Sequence, residues 1–295
     1  MAEFFFIGTD ARSELLEYFS SNRSFLPFGD TLPTANRVAF SRDGKWMAWI
    51  STDDNTLWRS RVDGTEQVQL TGQPMEVFMM QWSPDGRQLA FMAREPGKVW
   101  QIYVIGADGG DLHRLLTEDR NEADPDWSPD GRQIVFGRVP ALMGETAESK
   151  SISLLDVATG KITMIPGSQE LFSPRWSPDG RYIVALSLDM MRLMLYDTAV
   201  HRWQPLLQQS AADPVWSSDS KSLFFHTYLQ KSQTIYRVTV PGGKSEQVTD
   251  LRDLHFADVL DYQFAGITPR NTPLVNASMS TANIYFIDLQ EEKSQ

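Results

Sequence analysis

Two carboxylates flank a proline at Asp124-Pro125-Asp126. In a regular strand, residues at i and i+2 share a face, so the pair could hold a cation or work as an acid couple; bonding to backbone at the start of a strand is the plainer role. Asp53-Asp54-Asn55 looks like the opening of a calcium loop but lacks its glycine and distal glutamate, and reads as a hairpin tip. The four histidines, His113, His201, His226 and His255, have no metal-ligand spacing and fall in different stretches, which suits surface or rim positions. The chain has no cysteine, hence no disulfide, no thiolate nucleophile and no Cys-ligated zinc. No G-x-S-x-G nucleophile elbow occurs either. No metal, cofactor or catalytic residue is therefore expected.

The elements that must position these residues are set by a repeat. Trp82-Ser83-Pro84-Asp85-Gly86 recurs as Phe40-Ser41-Arg42-Asp43-Gly44, Trp127-Ser128-Pro129-Asp130-Gly131, Trp176-Ser177-Pro178-Asp179-Gly180 and, altered, Trp216-Ser217-Ser218-Asp219-Ser220, with 40 to 49 residues between successive aspartates. Proline fixes φ, aspartate bonds nearby backbone and glycine accepts a left-handed conformation, so the motif is a tight hairpin corner. Apolar runs follow each corner, such as Leu89-Ala90-Phe91 and Ile102-Tyr103-Val104-Ile105, and give about four short strands per unit. Units of this length and content are those of radial β-propellers. Nine tryptophans invite a carbohydrate-stacking reading. Trp82, Trp127, Trp176 and Trp216 share one repeat position, however, which favours packing of blade on blade.

The blades are expected at residues 38–71, 77–117, 123–166, 171–208, 212–250 and 255–289, in one domain. Residues 3–29 are read as a further, partial blade made of three strands, at 4–7, 14–19 and 24–28. Leu15, Leu16 and Phe19 also have helical spacing, but the strand reading agrees with the other units. The count is accordingly seven positions, with six as the alternative. Because the partial blade lacks a leading strand and corner, the chain reads as a piece of a longer protein with a weakly closed ring. The third unit carries an insert at 137–151 whose Val139 to Gly144 are apolar enough to dock a partner. The tail 291–295 is polar.

Taken together, the corner, the I-Y-like strand, the G-G turn at Gly109-Gly110 and Gly242-Gly243, and the L-T strand at Leu70-Thr71 resemble the TolB-type, WD-like propeller repeat along essentially the whole chain. Thr56 to Gly64, Leu171 to Ile183 and the ending Ile267 to Asp288 resemble the C-terminal propeller of bacterial regulators that carry a winged-helix or protein-kinase domain. That resemblance implies the sensory part of a signal-transduction or transcription-regulating protein, although no output domain or membrane helix is present in the sequence.

A net charge of −11 and a pI near 4.9 oppose direct binding of nucleic acid. Mean hydropathy of −0.33 and the lack of any ~20-residue apolar run exclude a membrane-inserted chain of helices. The N-terminus has no signal-peptide pattern; the compartment expected is the cytoplasm for the chain alone, or the periplasm beside a membrane-anchored regulator. The function expected is non-enzymatic recognition of a protein, peptide or small polar ligand. The alternative is a propeller-fold hydrolase or lyase using acids at the channel mouth. Loops on a rigid scaffold carry recognition, and those joining one blade to the next span 31–37, 72–81, 118–126, 167–175, 209–215 and 252–262. They supply the candidate site: Phe78, Met79, Phe172 and His255 for packing, and Arg120, Glu122, Asp124, Arg175 and Asp213 for charge, with Arg120 and Arg175 meeting an anionic group. Phe78 and Phe172 can equally serve as a channel plug.

Overall fold

Each of the five serine–aspartate corners is tied by the same three hydrogen bonds. Ser83 Oγ donates to Asp85 Oδ1 (2.7 Å) and accepts the Gln88 N–H (2.9 Å), while Asp85 Oδ1 accepts the Arg87 N–H (3.0 Å). The trio repeats at Ser41–Asp43, Ser128–Asp130, Ser177–Asp179 and Ser217–Asp219. The serine hydroxyl holds the carboxyls of Asp43, Asp85, Asp130 and Asp219 below the ordinary value. Gly86 sits at φ +69°, where a side chain is strained; in the last corner Ser220 takes the same region at +62°. Its hydroxyl accepts the Asp179 N–H of the preceding unit at 3.0 Å, so the altered corner keeps its shape and gains a link between blades.

A computed structural model describes residues 3–29, 35–118, 120–138, 150–227, 234–251 and 259–288. Among them, six antiparallel four-stranded sheets form six blades. The inner strands are Ala35–Phe40, Glu76–Trp82, Glu122–Trp127, Leu171–Trp176, Ala212–Trp216 and Val259–Ile267. The first five blades run inner to outer in chain order. The sixth differs: its inner strand Val259–Ile267 pairs with Pro273–Asp288, which pairs with Glu3–Phe19, which pairs with Ser24–Pro27.

This overturns the seven-position count. Residues 3–29 and the C-terminal unit are the two halves of one blade, not a partial blade and a truncated one. The partial blade therefore needs no missing strand and corner, because Val259–Ile267 and Pro273–Asp288 supply them. Residues 4–7 and 14–19 also belong to one strand rather than two, since the polar stretch between them continues the ladder, Asp10 opposite Thr281 and Arg12 opposite Met279. The helical alternative for residues 11–19 fails for the same reason. Glu17 locks the joint: Arg270 Nη2 reaches both its oxygens at 3.0 Å, and Thr272 Oγ1 donates to it at 2.5 Å.

The core lies between blades. Trp82 packs with Ile50 and Leu57 of blade one, Trp127 with Ala90 and Val104 of blade two, Trp176 against Val135 and Ile152 of blade three, and Trp216 with Val184 and Leu186 of blade four. Two of the indoles also donate backwards, Trp82 to Ala39 O and Trp216 to Arg175 O, both at 3.0 Å. The repeated tryptophan is a fastener to the preceding blade.

Candidate functional site

Every inner strand carries a bulge or irregularity, at Ala35/Arg37, Val77/Met79, Ala123/Asp126, Phe172/Arg175, Ala212/Val215 and Phe264/Gly266. In blades three to five the bulge holds Asp124, Ser173 and Asp213 at φ 55°, 50° and 48°. An extra residue in one strand breaks the two-residue alternation and re-aims side chains. Asp124 and Asp126 consequently do not act as an i, i+2 pair. Asp124 Oδ1 accepts Arg175 Nη2 at 3.3 Å, whereas Asp126 Oδ2 accepts the Trp176 N–H at 2.6 Å and its Oδ1 the Trp127 N–H at 3.0 Å.

The bulged strands surround a chamber of about 460 Å3 to which all six blades contribute. It opens between the hairpin corners, where Ser41, Ser83, Pro129, Pro178, Ser218 and Pro269 form the rim. One level in, the residues directly before the corner aromatic, or its counterpart Ile267, face it: Ala39, Gln81, Asp126, Arg175, Val215 and Gly266. Blades two, three and four thus present an amide, a carboxylate and a guanidinium, opposite small or apolar residues from blades five, six and one. Gly266 is required there, since a Cβ would lie 2.9 Å from Val38 O. Two residues further back stand Arg37, Met79, Asp213 and Phe264. Arg37 and Asp213 form a two-pronged ion pair (3.0 and 3.3 Å) linking blades one and five, and His226 Nε2 lies 3.1 Å from Asp213.

Burial raises carboxyl pKa values, and only a neighbouring cation or donor reverses it. Burial pushes Asp126 up to about 6, against the pull of Arg175 and two backbone donors. Burial would raise Asp213 as well, but Arg37 and His226 outweigh it and hold the carboxyl far below the usual range. Burial pushes Glu122 up to about 7, with Arg138 and Arg114 opposing and Glu118 adding to the rise.

Of the nine residues chosen from sequence, Met79, Arg175 and Asp213 line the chamber. Glu122, Asp124 and Phe172 are buried, Asp124 behind Arg175 and Phe172 among Val184, Leu186 and Leu193. Phe78 is 39% exposed, with Arg37 4.8 Å from its ring centroid and the Trp100 ring tilted against it at 5.9 Å. Arg120 is exposed, pairs with Glu118 at 3.3 Å and, unlike Arg175, does not line the chamber. His255 lies outside the described residues, as does Val139 to Gly144 of the insert. Of the other histidines, His113 and His201 are exposed but His226 is buried against Asp213. Arg37, Gln81 and His226 are chamber or chamber-side groups that sequence reasoning missed. Superposing the units on the corner aromatic would have shown Arg37 and Gln81, because they occupy the positions of Asp124 and Asp126.

Glu122 makes a testable electrostatic case. Its folded pKa is raised above the free value of 4.5, so its contribution to stability is complete below pH 4.5 and is lost as pH rises through about 7. Glu122→Gln should therefore unfold at a temperature several degrees above the parent at pH 8, on the order of 1–2 kcal/mol, with the gap clearly smaller at pH 5.5. Melting curves at the two pH values give the answer; equal gaps at both would mean the carboxyl is not held protonated.

No family model matches the chain. A stretch of 58 residues, 20% of this chain and 13% of the relative, is 34% identical to the Tol-Pal system protein TolB of Syntrophus aciditrophicus strain SB. Among solved structures, a protein assigned as TolB in Agrobacterium tumefaciens superposes with a TM-score of 0.69 at 17% identity, over 95% of this chain and all of that one. TolB from Acinetobacter baumannii follows at 0.59 and 14%, over 94% of this chain and 66% of that one. The fold is a TolB-like six-bladed propeller. The same architecture extends to a nidogen/laminin complex (TM-score 0.61, 12% identity, 80% of this chain and 92% of that one), so the likeness speaks to scaffold and not to ligand.

Proposed function

We propose that this chain is a non-enzymatic recognition module, the sensory part of a bacterial regulatory protein, which takes a peptide or small polar ligand into the chamber at the corner-lined mouth. The observation that carries the reading is the chamber itself: six blades enclose about 460 Å3, within the range of small-ligand sites, with an amide, a carboxylate and a guanidinium on one side and apolar residues on the other. Its charged groups are engaged in positioning one another. Arg37 holds Asp213, Arg175 holds Asp124, and Asp126 accepts two backbone donors, an arrangement suited to orienting a guest rather than to attacking one. The regulatory role rests on the sequence resemblance to sensor propellers. At the opposite end of the inner strands, exposed Phe78 and Arg120 offer a surface to a protein partner.

Isothermal titration against a panel of short peptides and small polar molecules, with turnover followed on the same panel, tests this. Saturable one-to-one binding without turnover is expected, and Val215→Trp, which fills the chamber from its apolar side, should abolish it while leaving the melting temperature within a few degrees. Turnover lost on changing Asp124 or Asp126 would replace this reading with an enzymatic one.

A further inference from the structure

The chamber is not neutral towards its guest, and its charge pattern names a chemical class. We infer, building on the recognition role above, that it receives a primary alkylammonium group, with Asp126 as counter-ion, Gln81 as neighbouring acceptor and the Ala39–Val215–Gly266 side as the wall for the hydrocarbon chain.

Inside the rim, Arg37 and Arg175 face Asp126 and Asp213, with Asp124 buried behind Arg175; the third cation of the lining, Arg42, stays at the rim. Each inner cation is paired with an acid other than Asp126. Arg37 is spent on Asp213 through two contacts, and His226 adds to that cluster. Arg175 gives Nη2 to Asp124 and Nη1 to Pro174 O. Asp126 is left with backbone donors, one on each oxygen, so each oxygen keeps an acceptor direction unused. It faces the chamber and is partly exposed to it. A carboxylate so placed, in a cavity lined mostly by apolar groups, is short of a cation rather than of a hydrogen bond. Gln81 lines the chamber from the neighbouring blade two, half-buried, its amide making no hydrogen bond among the described residues. An ammonium carries three donors and no acceptor, which suits two carboxylate oxygens and an amide oxygen.

Arg42 is the one further cation of the chamber lining, exposed at the rim, where Nη1 donates to Pro129 O at 3.4 Å across the mouth. It opposes an incoming ammonium and favours a guest whose charge passes the rim to reach Asp126. The shared chemistry has two sources: a free alkylamine, or a lysine side chain carried on a peptide.

The test compares three probes of one size, n-butylamine, n-butanol and n-butyrate, by titration calorimetry and by the tryptophan indole signals in NMR, beside a short peptide with one central lysine and its norleucine counterpart. At pH 7.5 the amine should bind at least tenfold more tightly than the alcohol, and the acid more weakly still. Tighter binding by the lysine peptide than by n-butylamine, with none by the norleucine peptide, identifies a lysyl guest; the reverse order identifies a free amine. Asp126→Asn should lower amine affinity at least tenfold, while Gln81→Glu should raise it in a chain that needs no change at Asp126. Going from pH 7.5 to 5 should cost the parent about tenfold, as a carboxyl near 6 takes up its proton. Equal binding of amine and alcohol, tighter binding of butyrate, or unchanged affinity in Asp126→Asn would overturn the inference. Binding of butanol or butyrate in the chamber would leave the recognition role standing; turnover without saturable binding would remove both.

Discussion

Asp213→Ala is expected to lower the melting temperature by roughly 10 °C. Asp213 is the acceptor for Arg37 from blade one and lies 3.1 Å from His226 on its own blade, so one substitution removes a carboxylate contact from two groups. Breaking a buried pair by removing one member costs about 3–5 kcal/mol, because the survivor stays desolvated and uncompensated. The low end applies, since a fifth of the Asp213 side chain is reached by solvent. For a chain of this size each 1 kcal/mol is worth about 2–4 °C. Arg37→Met combined with Asp213→Leu should recover most of the loss, as apolar replacement of an entire pair is close to neutral. The pH dependence has a fixed sign. Asp213 has a depressed folded pKa, so its contribution is complete above the unfolded value of about 3.9 and fades as pH falls below it. The parent should keep its full advantage over Asp213→Ala down to about pH 4 and lose it progressively below that. A midpoint within 2 °C of the parent at pH 7 would mean that the pair does not hold blades one and five together.

How much of this could be read beforehand depends on what the physics of each feature leaves in the chain. The corners are local: serine, aspartate and glycine close their own hydrogen bonds within six residues, so the motif alone predicts their geometry, and Trp82 or Trp216 at a fixed offset predicts packing on the preceding blade. The bulges are not local in that sense. Asp124 at φ 55° depends on ring curvature and on Arg175 arriving from the next blade, and strict alternation wrongly put it beside Asp126. The candidate loops were chosen because connections between blades commonly carry recognition, yet the enclosed volume lies at the corner end, where short turns looked chemically poor. Their chemistry comes from the strand residue just before each corner, Gln81, Asp126 or Arg175; the two charged residues stand out singly, but that they share one repeat position with Gln81 shows only when the units are superposed.

Blade count failed for a different reason, and it leads to the second large effect. A strand's partner across the whole length of the chain leaves no mark on local pattern: Leu16 opposes Val275, and Glu17 opposes Leu274. Once the two halves are joined, Leu15, Leu16 and Tyr18 are each no more than 5% exposed, Leu15 against Ala35 and Leu274, Leu16 against Ala277 and Met279. Burial of side chains of this size contributes about 1.5–3 kcal/mol each, so the three together approach the 5–15 kcal/mol by which domains are stable at all. Deleting residues 1–29 would in addition leave Arg270 and Thr272 without Glu17 and bare the edge of Pro273–Asp288 along the length it now shares with Glu3–Phe19. The truncated chain should show no cooperative melting transition above about 35 °C, and should bind a dye for exposed apolar surface. A synthetic peptide of residues 3–29 added in trans should restore the transition in a concentration-dependent way, as expected for a ligand that binds only the folded ring. Had these residues formed a separate seventh blade, their removal would leave six complete sheets and a cooperative transition; that outcome, or a failure of the peptide to rescue, would mean that the ring is not closed by pairing the two ends of the chain.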